Sequence, residues 1–108
     1  MLHLLINLTL AGHLSTEIGG IGAIISHSSH GISRIIKNSP ADFLGLKVGD
    51  VILEADGSKK MSHILGEPYT FVHLKYKRGE EVLERDFIRY GIQEMYGKES
   101  KNYKLIED

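Results

Sequence analysis

Gly19-Gly20-Ile21-Gly22 has the glycine density of a phosphate-binding loop. It lacks the third glycine of a dinucleotide fingerprint, and the chain holds no Gly-Lys-Ser/Thr of the phosphate-loop kind. His27 and His30 stand in a polar stretch, Ser26-His27-Ser28-Ser29-His30-Gly31. Two imidazoles with neither a cysteine nor a nearby carboxylate fall short of a metal ligand set, so exposed turn residues are expected there. Ser26 and Ser62 have no nucleophile elbow or triad context. Asp50 and Asp56 fall at turn positions, where Asp caps backbone N–H groups. Lys59-Lys60 and the Lys75 to Arg78 group are offset by Glu80, Glu81 and Glu84, and read as a solvated face. His3, His13 and His73 read as surface or sheet residues. The expectation is a chain that is not an enzyme and has no metal site and no cofactor.

Composition narrows the class. The chain has 108 residues, which is room for one domain. Its 42% hydrophobic and 25% charged content is that of a folded domain with its own core. Cysteine is absent, so no disulfide framework or thiolate site is available. Thirteen basic against fourteen acidic residues give a net charge of −1. A nucleic-acid binder needs a basic excess to neutralise phosphates, so nucleic acid is not an expected partner. The apolar run Leu2–Leu14 is shorter than the roughly 20 residues a spanning helix needs, so a membrane is not an expected partner either. The run lacks the Lys or Arg start and small-x-small site of a signal peptide. That leans toward the cytoplasm and leaves the compartment open. Ile6, Leu8 and Leu10 alternate with Asn7 and Thr9, which predicts a strand.

The elements follow from local pattern. Ser15 to Gly22 is a glycine-rich loop, and Ala23-Ile24-Ile25 a short apolar strand. The polar turn at 26–31 leads to a second strand, Ile32 to Ile36, forming a hairpin. Ser39 is placed to cap a short helix that opens on Pro40 and closes at Gly45. Val51 to Ala55 is a buried strand ending in the Asp56-Gly57 turn. Val72, Leu74 and Tyr76 alternate with His73, Lys75 and Lys77, giving a strand with one buried and one wet face. It turns at Arg78-Gly79-Glu80 and returns over Glu81 to Tyr90. The inward face of the return strand cannot be read from its pattern.

Residues Ile32 to Gly57, ISRIIKNSPADFLGLKVGDVILEADG, resemble the central block of a PDZ domain. The resemblance rests on Ser39-Pro40-Ala41, Gly45-Leu46, Gly49-Asp50-Val51-Ile52-Leu53 and Asp56-Gly57, in that order and spacing. Upstream, Gly20-Ile21-Gly22-Ala23 resembles the family's carboxylate-binding loop. Downstream, Gly66 to Gly79 resembles its late hairpin. The flavour is bacterial, that of PDZ domains attached to tail-specific and HtrA-type proteases. The resemblance implies an α+β, mostly β fold, a small partly open barrel or sandwich of five to six strands with one short helix and a truncated second helix. Residues 1–18 would be a lead-in strand, 19–92 the domain and 93–108 a polar tail.

The family works by β-augmentation, in which a partner's extended C-terminus adds a strand to a sheet edge. By resemblance, the N–H groups of Ile21, Gly22 and Ala23 would hold the terminal carboxylate. Ile21, Ala23 and Ile25 share one side by period two, and would line the pocket for the last side chain. Ile24, Ile25, Met61, Ile64 and Leu65 would form the groove, with His63 where some members select a hydroxyl-bearing residue. This chain departs from the family between Gly57 and Gly66. Only SKKMSHIL stands where a helix of two to three turns is usual, so Met61 and Leu65 would face the groove from one helical turn. Tyr69 also stands where the family often has glycine. The expected partner is a protein C-terminus or extended peptide, in an adaptor or protease-modulating role. The alternatives are a self-assembling homo-oligomer with a degenerate groove, and a detached regulatory domain of a serine protease.

Overall fold

The computed structural model describes residues 17–96. The strand expected within Leu2–Leu14 and the polar segment after residue 96 lie outside the described residues. Within them the order is β1 (Gly19–Gly20), β2 (Ala23–Ile25), β3 (Ile32–Ile35), α1 (Pro40–Phe43), β4 (Val51–Ala55), a 3-10 turn (Met61–Ile64), β5 (Phe71–Arg78), β6 (Glu81–Ile88) and β7 (Tyr90–Gly91). These seven strands form three antiparallel sheets, β1-β7, β2-β3 and β4-β5-β6. A bridge between Gly31 and Val51 joins the second sheet to the third, so the assembly is an open α+β fold and not a closed barrel. The seven strands exceed the five to six expected because two-residue β1 and β7 pair with each other, too short to leave a periodicity.

The hydrophobic pattern decides which faces meet. On β5, Val72, Leu74 and Tyr76 are buried while Phe71 and His73 are exposed. Ile52 and Ala55 of β4, Ile32 of β3 and Ile21 close over them, with Phe87 packed edge-on against Tyr76. The β5-β6 turn is two residues long, with Gly79 first at φ +60, the hand that a tight hairpin requires. β6 is an edge strand on which Phe87 alone is fully buried, which is why its inward face is illegible in the sequence. In α1, the Ser39 hydroxyl accepts from the Asp42 N–H, and Gly45 takes φ +84 just past the helix. These are the start and stop signals the sequence carries.

The short second helix is a 3-10 turn rather than a turn of α-helix. Positions three apart then eclipse, so Met61 and Ile64 share the inward face. Leu65 leaves the turn with extended backbone and is exposed, so the expected Met61–Leu65 face does not form. What holds so short an element is Arg89, which is 7% exposed. Its guanidinium donates to Ile64 O at 2.9 Å, His63 O at 3.0 Å, Phe71 O at 3.0 Å and Thr70 Oγ1 at 2.8 Å. The turn's terminal carbonyls, which no further helical residue can satisfy, are thereby tied to the start of β5. Gly66 is required beside it, since a Cβ there would stand 2.7 Å from the guanidinium carbon.

A second pair fixes the turn before β4. Asp50 is buried, and Arg78 grips it in a fork through Nε at 2.8 Å and Nη2 at 2.7 Å. The same carboxylate accepts from the Lys47 N–H. Burial opposes ionisation of Asp50. The hydrogen bonds from Arg78 and Lys47, with the charges of both side chains, outweigh it and hold the carboxyl below its ordinary range. On the wet face of β5, His73 is bracketed by Glu84 and Asp86, whose hydrogen bonds raise its pKa.

Arg89→Met is expected to lower stability by about 3 kcal/mol, because it strands buried carbonyls. Arg89→Lys should recover part of that loss, having the charge without the fork. Urea titration of both variants measures it. The contribution of Asp50 is present above its unfolded pKa of about 4 and is lost as pH falls through the lower folded value. That of His73 is complete below about pH 6.5 and is lost as pH rises through its raised value. The urea midpoint is therefore expected to peak between about pH 4 and 6.5, and Asp50→Asn to flatten the acid limb. A midpoint that is flat between pH 3 and 8 would contradict this.

Candidate functional site

The loop entering β2 has its carbonyls held from one side. Ile21 O accepts from the Ala41 N–H of α1, and Gly22 O from the Ile36 N–H, both at 2.8 Å. A trans peptide plane points its carbonyl and the next N–H in opposite directions. The N–H groups of Gly22 and Ala23 therefore turn away from α1 and β3. The Gly20 carbonyl faces β7 across the Gly20–Tyr90 pair, so the Ile21 N–H turns away from β7. Ile21 and Gly22 donate to no acceptor among the described residues. Only glycine suits position 22. Its φ is +86, and a Cβ would stand 2.2 Å from that of Ser39.

The outer edge of β2 continues this row. Ala23 lies opposite Ile35, and the Ile36 N–H bonds Gly22 O beside that pair. Ala23 is thus a non-hydrogen-bonded position, and its N–H and C=O face away from β3. Ile25 opposite Ile32 is the same, since Ser26 N–H bonds Gly31 O. No described strand pairs with this edge. It presents the alternating donors and acceptors that an added strand uses.

The expected site residues fall into distinct places. Ile21 and Ile64 are core, with Ala23, Ile25 and Met61 packed against it half-buried. Ile24 sits opposite Arg34 in a bonded position, with its side chain on the outer face. Leu65 flanks the loop, its Cδ2 3.4 Å from where a Cβ on Gly20 would lie. The 3-10 turn packs against β4 and β5. Between it and the end of β2 a shallow cleft of about 420 Å³ opens, lined by Ile25, Ser26, His27, His30, Lys59, Lys60, Met61 and Ser62. His63 does not line this cleft; its carbonyl is the part Arg89 holds. The surface thus runs from the glycine loop, along the free edge, to a cationic far end.

Three contributors lie outside the sequence expectations. Arg89 is a lone charged residue behind Phe87 and Ile88, and only its burial reveals its task. Met95, past the boundary expected at Ile92, is 6% exposed and lies beneath the glycine loop, its sulfur 3.3 Å from the Cβ position of Gly22. Tyr69, where the resemblance often places glycine, takes φ +65, the conformation glycine would supply. Its N–H bonds Arg89 O, its hydroxyl donates to Glu94, and its ring lies 6.0 Å from that of Tyr90. Those contacts offset a left-handed backbone cost of about 1 kcal/mol.

No family model matches the sequence, and no curated protein matches it. Solved structures do match. One is a variant of the HtrA-type protease AlgW with a decapeptide, with a TM-score of 0.63 and 18% identity over 82% of this chain. The match covers 33% of the AlgW chain, so this sequence spans about a third of that structure. At this identity the likeness is one of fold: the chain folds like part of an HtrA-type protease.

Proposed function

We propose that this chain is a non-catalytic, PDZ-like peptide-binding module that takes an extended C-terminal segment of another protein as an added strand on β2. The observation that carries the reading is the continuous row of outward backbone groups from Ile21 to Ile25. At its start the N–H groups of Ile21, Gly22 and Ala23 are the donors for a carboxylate, which asks for amide hydrogens and no competing acceptor. Along it, Ala23 and Ile25 supply the ladder. Ala23 is small and leaves room beside it for an apolar last side chain. The likeness in fold to a protease solved with a decapeptide supports the same reading, and with it a role as adaptor or protease modulator.

The other wall is one 3-10 turn, so a bound strand is held mainly by its backbone and its end. Affinity is expected to be roughly micromolar, set by the cost of ordering the peptide.

Amide NMR during titration with peptides carrying free apolar C-termini tests the reading. Shifts are expected to cluster at residues 21–25 and 61–65 and to vanish when the peptide ends are amidated. No shifts with any end, from a folded sample, would overturn it. Shifts that persist on amidation would move the reading to internal strands.

A further inference from the structure

The far end of the β2 surface carries one sign of charge. Lys59, Lys60, His27 and His30 line the cleft beside Ile25 and Met61, and no carboxylate does. From sequence alone the two lysines belong to a solvated face balanced by Glu80, Glu81 and Glu84. The structure places Glu80 and Glu81 at the β5-β6 turn and turns Glu84 onto His73, and none of the three lines the cleft. Neither lysine has an ion-pair partner among the described residues. The backbone that presents them is fixed: Ala55 and Ser58 exchange backbone hydrogen bonds, and the Lys60 N–H donates to Ser58 Oγ.

Strand geometry converts this into a position on the ligand. A peptide with its last residue beside Ala23, running antiparallel to β2, passes Ile25 two residues back. Three to four residues back, roughly 10–13 Å from its carboxylate, it reaches Ser26 and His27. There it enters the cleft that Lys59 and Lys60 face.

Resting on the peptide-binding reading above, we propose that Lys59 and Lys60 are specificity-determining residues that select an acidic side chain three or four residues before the partner's C-terminus. The ligand class is then an apolar-ended, acidic tail. The cleft is open, so the pairing is solvent-screened and modest, and it acts by preference rather than by bulk affinity.

The test is fluorescence anisotropy with octapeptides that share one apolar last residue and carry Glu, Gln or Lys at the two positions in question. With the native protein, the Glu peptide is expected to bind about fivefold more tightly than the Gln peptide at low salt, and the Lys peptide more weakly still. The ratio should shrink as salt is raised. In the Lys59→Gln, Lys60→Gln double variant the Glu-to-Gln ratio should fall to about one. Equal binding of Glu, Gln and Lys peptides by the native protein would overturn this inference and leave the peptide reading standing. A Glu preference that survives the double variant would overturn the assignment to these lysines. Failure of every peptide to bind would overturn both.

Discussion

The second wall of the β2 surface depends on one buried guanidinium. A four-residue 3-10 turn cannot satisfy its own last carbonyls, and it offers little apolar area to anchor itself. Arg89 replaces what a longer helix would have supplied internally. It collects the carbonyls of His63, Ile64 and Phe71 and the hydroxyl of Thr70 around one planar fork. Five donors in a rigid plane match such a set, and a lysine cannot. The charge is tolerated because its donors are occupied and Asp56 lies 3.9 Å away. Met61 and Ile64 then face the core because the turn is held at both its carbonyl end and its apolar face. Without Arg89 the wall has packing on one side only.

The opposite wall follows from a different constraint, the planarity of the peptide. α1 and β3 do not touch the outward edge of β2, yet they orient it. By taking the carbonyls of Ile21 and Gly22, they fix two peptide planes and so aim the next two N–H groups outward. The close fit of Gly22 on Ser39 makes that arrangement specific to glycine. Ser39 in turn is held as the cap of α1. One serine thus ends β3's exit, starts the helix and sets the floor of the loop. Met95 closes that floor from the other side, and the described fold continues to it.

Much of this was legible in the residues. Ser39-Pro40 and Gly45 state a helix start and stop through capping and φ preference, and α1 obeys both. β5 announces its faces through strict alternation. The glycine loop was legible only through its resemblance to a family, because glycines alone do not say which N–H groups will point outward; that depends on Ala41 and Ile36, distant in sequence. The groove wall differs in detail from its four-residue spacing because that spacing presumes α-helical winding, whereas 3-10 winding sets Ile64, not Leu65, beside Met61. Arg89 and Met95 left no pattern at all. Each is a single residue whose meaning comes from burial, and burial is decided by contacts across the chain. Counting balances the Lys59-Lys60 pair against acids, but which acids share its cleft is set by the fold, and none does.

That last point bears on what a surface of this shape can discriminate. Backbone pairing along β2 is nearly blind to side chains, since every residue but proline carries the same donor and acceptor. A deep second wall would restore selectivity through pockets, but a single turn encloses little. On the proposed reading, selectivity would come from the two ends: the amide cluster would distinguish a terminus from a mid-chain strand, and the cationic cleft would distinguish charge. Charge discrimination needs no close enclosure, because Coulomb attraction falls off more gently than van der Waals contact and operates within a Debye length of about 8 Å. A shortened helix is therefore compatible with a selective surface, provided that the selection is electrostatic rather than steric.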